Sequence, residues 1–285
     1  MGPQATILPC GTRLHLQHGP IDLIIGADGD RRAAFDAAQA RFATVLHDIM
    51  PELGALKRPM AADTPTPSGT IAQRMDHATR PFATLAFVTR MAAVAGSVAD
   101  TVLHAMTTAD ITRAYVNNGG DIAVHLTQGQ QFSLAMAGHD GADLGRITLH
   151  YDAPTRGIAT SGRHGRSLSL GVADSVTVLA TTAARADVAA TLIANAVDLP
   201  GHPAITRRPA HDIDDTSDLG GLPVVVGCGV LSDDDTARAV SHGRARADLF
   251  MRKNLIAGAA MFLQGHADTT CATRLSIAQR TPEHA

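Results

Sequence analysis

The chain contains no tryptophan, and its aromatic residues come to seven phenylalanines and two tyrosines in 285 positions. That scarcity argues against the stacking platforms on which single-stranded nucleic acids are read. Charge agrees with this. The formal net charge is −3 and basic residues are scattered, so no nucleic-acid footprint is expected. Cysteine is sparse too. Cys10, Cys228 and Cys271 lie far apart and none forms a CxxC pair, which excludes a zinc ribbon or a thioredoxin motif. A disulfide framework is not expected in a chain of this size. No run approaches the roughly 18 apolar residues of a membrane helix. A basic segment followed by an apolar stretch is missing near the start, so no signal peptide is expected and the expected compartment is the cytoplasm.

Several chemical signatures are missing as well. There is no Gly-x-x-x-x-Gly-Lys loop, no Gly-x-Gly-x-x-Gly and, among fourteen histidines, no His-Glu-x-x-His. Ser161 is not a nucleophile elbow, because the position two before it is alanine. The acidic run 211–218 misses the glycine and glutamate positions of a calcium loop and reads as a solvated loop.

What is present is a folded chain, 45% hydrophobic and 18% charged, long enough for one large domain or two intimate ones. Alternation predicts an antiparallel hairpin over 12–18 and 21–26. Asp28 or Asp30 can cap a helix running to about residue 50, where Pro51 follows. Residues 51–70, rich in proline and threonine, read as a surface connection, with a short helix near 70–79. A helix is expected over 91–106. Its Ala92, Gly96 and Asp100 fall on one face, either for close approach to a neighbouring element or to leave a flat face for a ligand. Successive antiparallel strands are predicted over 112–117, 121–127, 131–137, 145–150 and 156–160, with another over 175–180. A helix is expected over 182–197, a strand over 223–227 and a helix from Asp233–Asp235 to about 250. Residues 255–263 read as a buried strand or a short helix, and the tail from about 274 as polar and fraying. Strands mix with helices without βαβ alternation, so the expected class is α+β, with mostly antiparallel sheets flanked by helices.

Three stretches carry candidate chemistry. In Asn117-Asn118-Gly119-Gly120-Asp121 the glycines can take positive φ and bring successive amides to an anion, with Asn118 and Asp121 at the rim. The same residues also suit a plain hairpin turn. Thr160-Ser161-Gly162, followed by Arg163 and Arg166, offers hydroxyls, amides and guanidinium forks to phosphate oxygens, or is an ordinary polar loop. Asp187 and Thr191, four apart on a predicted helix, place a carboxylate and a hydroxyl on one face. Such oxygen donors suit Mg²⁺; complementing the helix's own N-terminal dipole is the plainer role for Asp187. His164 is the histidine closest to these motifs.

Together, Asn118-Gly-Gly-Asp-Ile122, Ala159-Thr-Ser-Gly162, Ser175-Val-Thr-Val178 and Ala186-Asp187 with Thr191 resemble the ApbE-like superfamily, whose characterised members are FAD:protein FMN transferases. Met91–Gly96, Ala99-Asp100 and Asp218-Leu-Gly220 add a resemblance to an uncharacterised bacterial and archaeal branch of it, over most of the chain. The resemblance implies a single ApbE-like domain, or two intimate subdomains with a cleft between them. It implies that Asp187 and Thr191 contact Mg²⁺. It further implies that Asn118, Gly119, Gly120, Asp121, Thr160, Ser161 and Gly162 line a cleft for FAD, FMN or a related nucleotide, and that a threonine or serine of a protein substrate receives FMN. The transferases carry a His-x-x-Asp-Pro-type segment between the Thr-Ser-Gly turn and the following strand. Here Arg163–Asp174 fills that space without one, leaving Asp187, His164 and Asp174 as the candidate catalytic residues. A nucleotide-binding module without catalysis and a structural protein on the same scaffold are the alternatives.

Overall fold

A computed structural model describes residues 2–270 and 275–278. It opens with strand β1 (Gln4–Ile7), then β2 (Arg13–His18) and β3 (Ile21–Gly29), which pair antiparallel in that order. Helix α1 (Arg31–Ile49) follows, capped by Asp30, whose carboxylate accepts from the Ala33 amide at 3.1 Å. Its buried Ala34, Phe35, Ala38, Phe42, Val45 and Ile49 recur at helical spacing and face the sheet. Then come α2 (Leu53–Leu56), α3 (Thr70–Thr79) and α4 (Val94–Met106).

The strand-rich middle holds β4 (Ile111–Asn118), β5 (Asp121–Leu126), β6 (Gln131–Ala137), β7 (Asp143–His150), β8 (Gly157–Ser161) and β9 (Ser175–Ala180). Helix α5 (Ala183–Ala196), the β10 (Ile205–Pro209) and β11 (Pro223–Cys228) hairpin, α6 (Asp233–Arg252), β12 (Gly258–Leu263), β13 (His266–Thr269) and β14 (Leu275–Ile277) complete it. The main sheet has nine strands in the order β1-β2-β3-β4-β5-β8-β9-β12-β13, and every pairing within it is antiparallel. The fold class is α+β, as expected.

Two apolar cores explain the layers. Ala123, Ala159, Val176, Val178 and Met261 on one sheet face pack with residues of α1, α3, α4, α5 and α6. Val124, Leu126, Ile158, Leu179 and Phe262 on the other face pack with Met136, Ile147 and Leu149 of the three-stranded sheet β14-β7-β6. Strand β9 is covered on both faces and therefore buried along its whole length. The outer face of β2, β3 and β4 lies beside this small sheet, and both described cavities open along it.

Four expectations are modified. The successive antiparallel strands predicted over 112–160 divide between two sheets: β5 pairs with β8, and the β6–β7 hairpin is set aside to cover the outer face. Residues 51–70 are more than a surface connection, since Leu56 and Met60 are buried and the Glu52 carboxylate accepts from the Ser68 and Gly69 amides at 2.9 and 2.6 Å. Within 255–263, Gly258–Leu263 form strand β12, because the open edge of β9 takes them up. Within the tail expected to fray, Leu275–Ile277 instead pairs with β7 and Ile277 packs on the second core; Cys271 and 279–285 lie outside the described residues.

Candidate functional site

Side-chain alternation decides what meets at the end of the sheet. On β4 and β5, Asn118 and Asp121 point to the helix side, as Val116 and Ala123 do. The turn between them uses Gly119 and Gly120 at φ 65° and 111°, a geometry that L side chains rarely take. The Gly120 amide is already satisfied at 2.9 Å by Asn117 Oδ1, so the run of free amides expected there loses one donor. Asn118 Nδ2 donates to the Ala95 carbonyl at 3.0 Å, tying the turn to the start of α4.

Helices α4 and α5 then cap one another. Ala93, before α4, offers no side-chain cap. Its place is taken from outside the helix: Asp187 Oδ2 accepts from the Gly96 amide at 2.9 Å. In return Asp100, on α4, accepts from the Ala183 and Ala184 amides at 3.1 and 3.0 Å at the start of α5. Gly96 is required at this crossing, because a Cβ there would collide with the Ala183 carbonyl. The flat face predicted over Ala92, Gly96 and Asp100 therefore serves close approach; Gly96 and Asp100 spend it on α5, not on a ligand. Gly96→Ala is expected to cost about 1–3 kcal/mol by forcing the helices apart. Denaturant unfolding measures this, and a loss below about 0.5 kcal/mol would contradict the tight crossing.

The crossing gathers three carboxylates. Burial raises Asp187 to about 7, against two α4 amides that hold it down, and neighbouring Asp100 pushes it up further. Asp121 lies well above the usual carboxylate range, first from burial and then from the negative charge of Asp187; Arg166 and the Thr160 amide pull the other way. Burial also raises Asp100. Acidic groups held together at this cost have the donor chemistry of a hard cation site, since a divalent ion would offset both burial and repulsion. Thr191 lies one helical turn beyond Asp187 on α5. Among the described residues no cluster of three or more His, Cys, Asp or Glu has metal-binding geometry, so any ion here would rest on few carboxylates and complete its shell elsewhere.

The Thr160-Ser161-Gly162 stretch ends β8. Thr160 is exposed and its hydroxyl meets that of Thr177 at 3.0 Å. Gly162 is buried against the Asp174 backbone, which leaves no room for a Cβ. Arg166 reaches back across the turn. Its Nη1 donates to the Pro20 carbonyl at 3.0 Å, and a Cβ on Gly119 would stand 2.5 Å from its Nη2. Asp22, Ile24, Asn117, Gly119, Gly120 and Arg166 line a cavity of about 310 Å³.

Arg163, His164 and Asp174 form a cluster of their own. Arg163 donates to Asp174 Oδ1 from Nε and Nη2 at 3.0 and 2.7 Å, and His164 Nε2 lies 3.2 Å from the same oxygen. The Gln264 amide takes Oδ2 at 2.6 Å. The His164 ring stacks on His139 at 3.6 Å, and burial with the Arg163 charge lowers its pKa. The structure thus brings Asn118, Gly119, Gly120, Asp121 and Asp187 together, with Arg166 beside the turn. It commits Arg163 and His164 to Asp174. Sequence reasoning missed the capping of α5 by Asp100 and of α4 by Asp187; for Asp100 the signal available was a carboxylate four residues after a glycine on a small-residue face.

The sequence model of the family described as AbpE bacteria matches residues 5–269. A UPF0280 protein of Methanopyrus kandleri is 35% identical over 157 residues, 55% of this chain and 61% of that protein. A UPF0280 protein of Methanothrix thermoacetophila is 34% identical over 161 residues, 55% of this chain and 63% of that protein. The chain thus spans less than two thirds of the length of these curated relatives. Among solved structures, an ApbE protein of Thermotoga maritima superposes with a TM-score of 0.51 at 10% identity, covering 93% of this chain and 96% of that one, which establishes a shared fold.

Proposed function

The chain belongs to the AbpE bacteria family, and from that premise we propose that it binds a flavin nucleotide, or a related phosphorylated ligand, together with Mg²⁺. The observation that carries this reading is the enforced proximity of Asp121 and Asp187: burial pushes up both carboxyl groups, and a neighbouring negative charge adds to it, that of Asp187 at Asp121 and that of Asp100 at Asp187. Asp187 and Thr191 would hold the ion, with Asp121 beside them. A bound Mg²⁺ supplies charge neutralisation for a pyrophosphate. The Asn118–Asp121 turn and Thr160–Gly162 would flank the ligand, and Arg166 offers guanidinium donors at the turn. Arg163 would join them by exchanging Asp174 for phosphate.

Transfer of FMN to a protein hydroxyl needs a group to take the hydroxyl proton. Asp187, His164 and Asp174 are the candidates. The engagement of both Asp174 oxygens favours, as a second reading, a binding module without transfer.

Thermal unfolding with FAD and Mg²⁺ tests binding. At about 100 times Kd a ligand adds roughly 2.7 kcal/mol, a shift of several degrees that EDTA should reverse. An unchanged melting temperature with FAD, FMN and ATP would sink the reading. Release of AMP from FAD in the presence of a threonine-bearing target separates transfer from binding alone.

A further inference from the structure

A second cavity, of about 200 Å³, lies further along the outer face of β2, β3 and β4, under the edge of β6. Gly26 makes its floor possible: a Cβ there would stand 2.5 Å from the Tyr115 ring, so only glycine lets Tyr115 lie across β3. Phe132 closes the side, edge-on to Tyr115 at 5.9 Å between ring centres. Three guanidiniums, from Arg13, Arg31 and Arg113, line this space against one carboxylate, Asp28.

Those arginines are held in place. Asp28 accepts from Arg31 Nη2 at 3.4 Å and from Arg113 Nε at 2.5 Å, fixing two cations side by side. Arg31 Nε is anchored on the Ala27 carbonyl at 2.8 Å, and Arg113 Nη1 on that of Gln131 at 3.2 Å. The Arg113 guanidinium also sits 5.3 Å over the Phe132 ring. Arg31 Nη1 and Arg113 Nη2 take no part in these bonds, and each guanidinium has five N–H donors to give. At the rim Arg13 Nε donates to Cys10 Sγ at 3.4 Å.

We propose that this cavity binds a compact dianion, a small phosphate monoester or dicarboxylate, clamped by Arg13, Arg31 and Arg113. Clustered cations are costly to hold together without a counter-charge; Asp28 is the one carboxylate set between Arg31 and Arg113, and Arg13 meets the Cys10 sulfur at the rim. Planar forks converging on one space are the recognition chemistry of phosphate and carboxylate. The volume falls short of the roughly 300–1,000 Å³ of drug-sized sites, which selects a small ligand over a whole dinucleotide. Asp28 acts as a positioning residue. The Cys10 thiol reports occupancy: Arg13, then Thr12, draws its pKa down to about 6, and an anion that claims Arg13 would raise it and slow alkylation.

Calorimetric titration with inorganic phosphate and with malonate, each against chloride at equal ionic strength, tests this on the full chain. One site per chain is expected for at least one of the two anions, and the tighter one distinguishes a phosphate ester from a dicarboxylate. Arg113→Gln and Arg31→Gln should each weaken it about tenfold or more, and Cys10 alkylation in the wild type should slow as the site fills. Asp187→Asn should keep the binding, which separates this cavity from the carboxylate site. Flat titrations with both anions, affinities unchanged in both arginine variants, or loss of binding in Asp187→Asn would overturn the proposal.

Discussion

Asp187→Asn should eliminate the Mg²⁺-dependent rise in melting temperature with FAD, weakening metal-dependent binding at least about 100-fold while the fold survives. The asparagine oxygen can still accept from the Gly96 amide, so the cap on α4 is kept and only the charge is lost. Asp187→Ala removes both, and should lose a further ~0.5–2 kcal/mol of stability. Without ligand, pH gives an independent reading. The folded-state pKa of Asp187, about 7, lies above the roughly 3.9 of an unfolded aspartate. The raised value means that ionisation opposes folding. The contribution of Asp187 to stability is therefore greatest below pH ~4, falls as pH rises toward 7 and levels off above it. Asp187→Asn should lack this fall and overtake the wild type by on the order of 2–4 kcal/mol at pH 8. Metal dependence should run the opposite way, because protons compete with the ion for the same oxygens: a small Mg²⁺ shift at pH 5.5 and a large one at pH 8. A Mg²⁺ shift in Asp187→Asn equal to that of the wild type would refute the metal assignment.

The second large effect lies away from the site. Asp76 is 4% exposed and accepts from Arg80 Nη2 and Nε at 2.8 and 2.9 Å and from Arg90 Nε at 2.8 Å. Arg90 is 2% exposed and leads directly into α4. Asp76→Ala leaves that guanidinium buried without its counter-charge, a change that costs about 3–5 kcal/mol. Urea unfolding should show the midpoint falling at constant slope. A loss under 1 kcal/mol would mean that the Pro65 carbonyl, which Arg90 Nη2 meets at 2.6 Å, suffices.

Much of the fold was legible because periodicity is local. The alanine-rich faces of α1 and α5 and the alternation in β2 through β5 declare themselves within a dozen residues. Partnership was not. Nothing in the Gln131–Ala137 stretch says that it leaves the main sheet, since that depends on what must cover Val124, Ile158 and Leu179. Strand β10 escaped notice because Arg207 and Arg208 interrupt its pattern, and β1 because its four residues are all exposed. The site divides in the same way. Asn118–Asp121 and Asp187 stand out as motifs, but Asp187 near the start of its own helix suggested support for that helix, whereas it caps another. A carboxylate reaching across some ninety residues of sequence leaves no local trace. Arg163 and Asp174 looked separate for a similar reason; the β8–β9 pairing brings their ends together.

The order of strands in the main sheet bears on how the chain is made. Strand β9 receives its outer neighbour, β12, only from the far end of the sequence. At the pace of synthesis, ~5–20 residues per second, its edge stays unpaired for roughly 4–16 s after it emerges. During that interval the Val-Thr-Val-Leu edge of β9 offers free amides and carbonyls to any strand that passes. Covering it in the nascent chain would be a task for a chaperone, and truncations that end before Gly258 should aggregate.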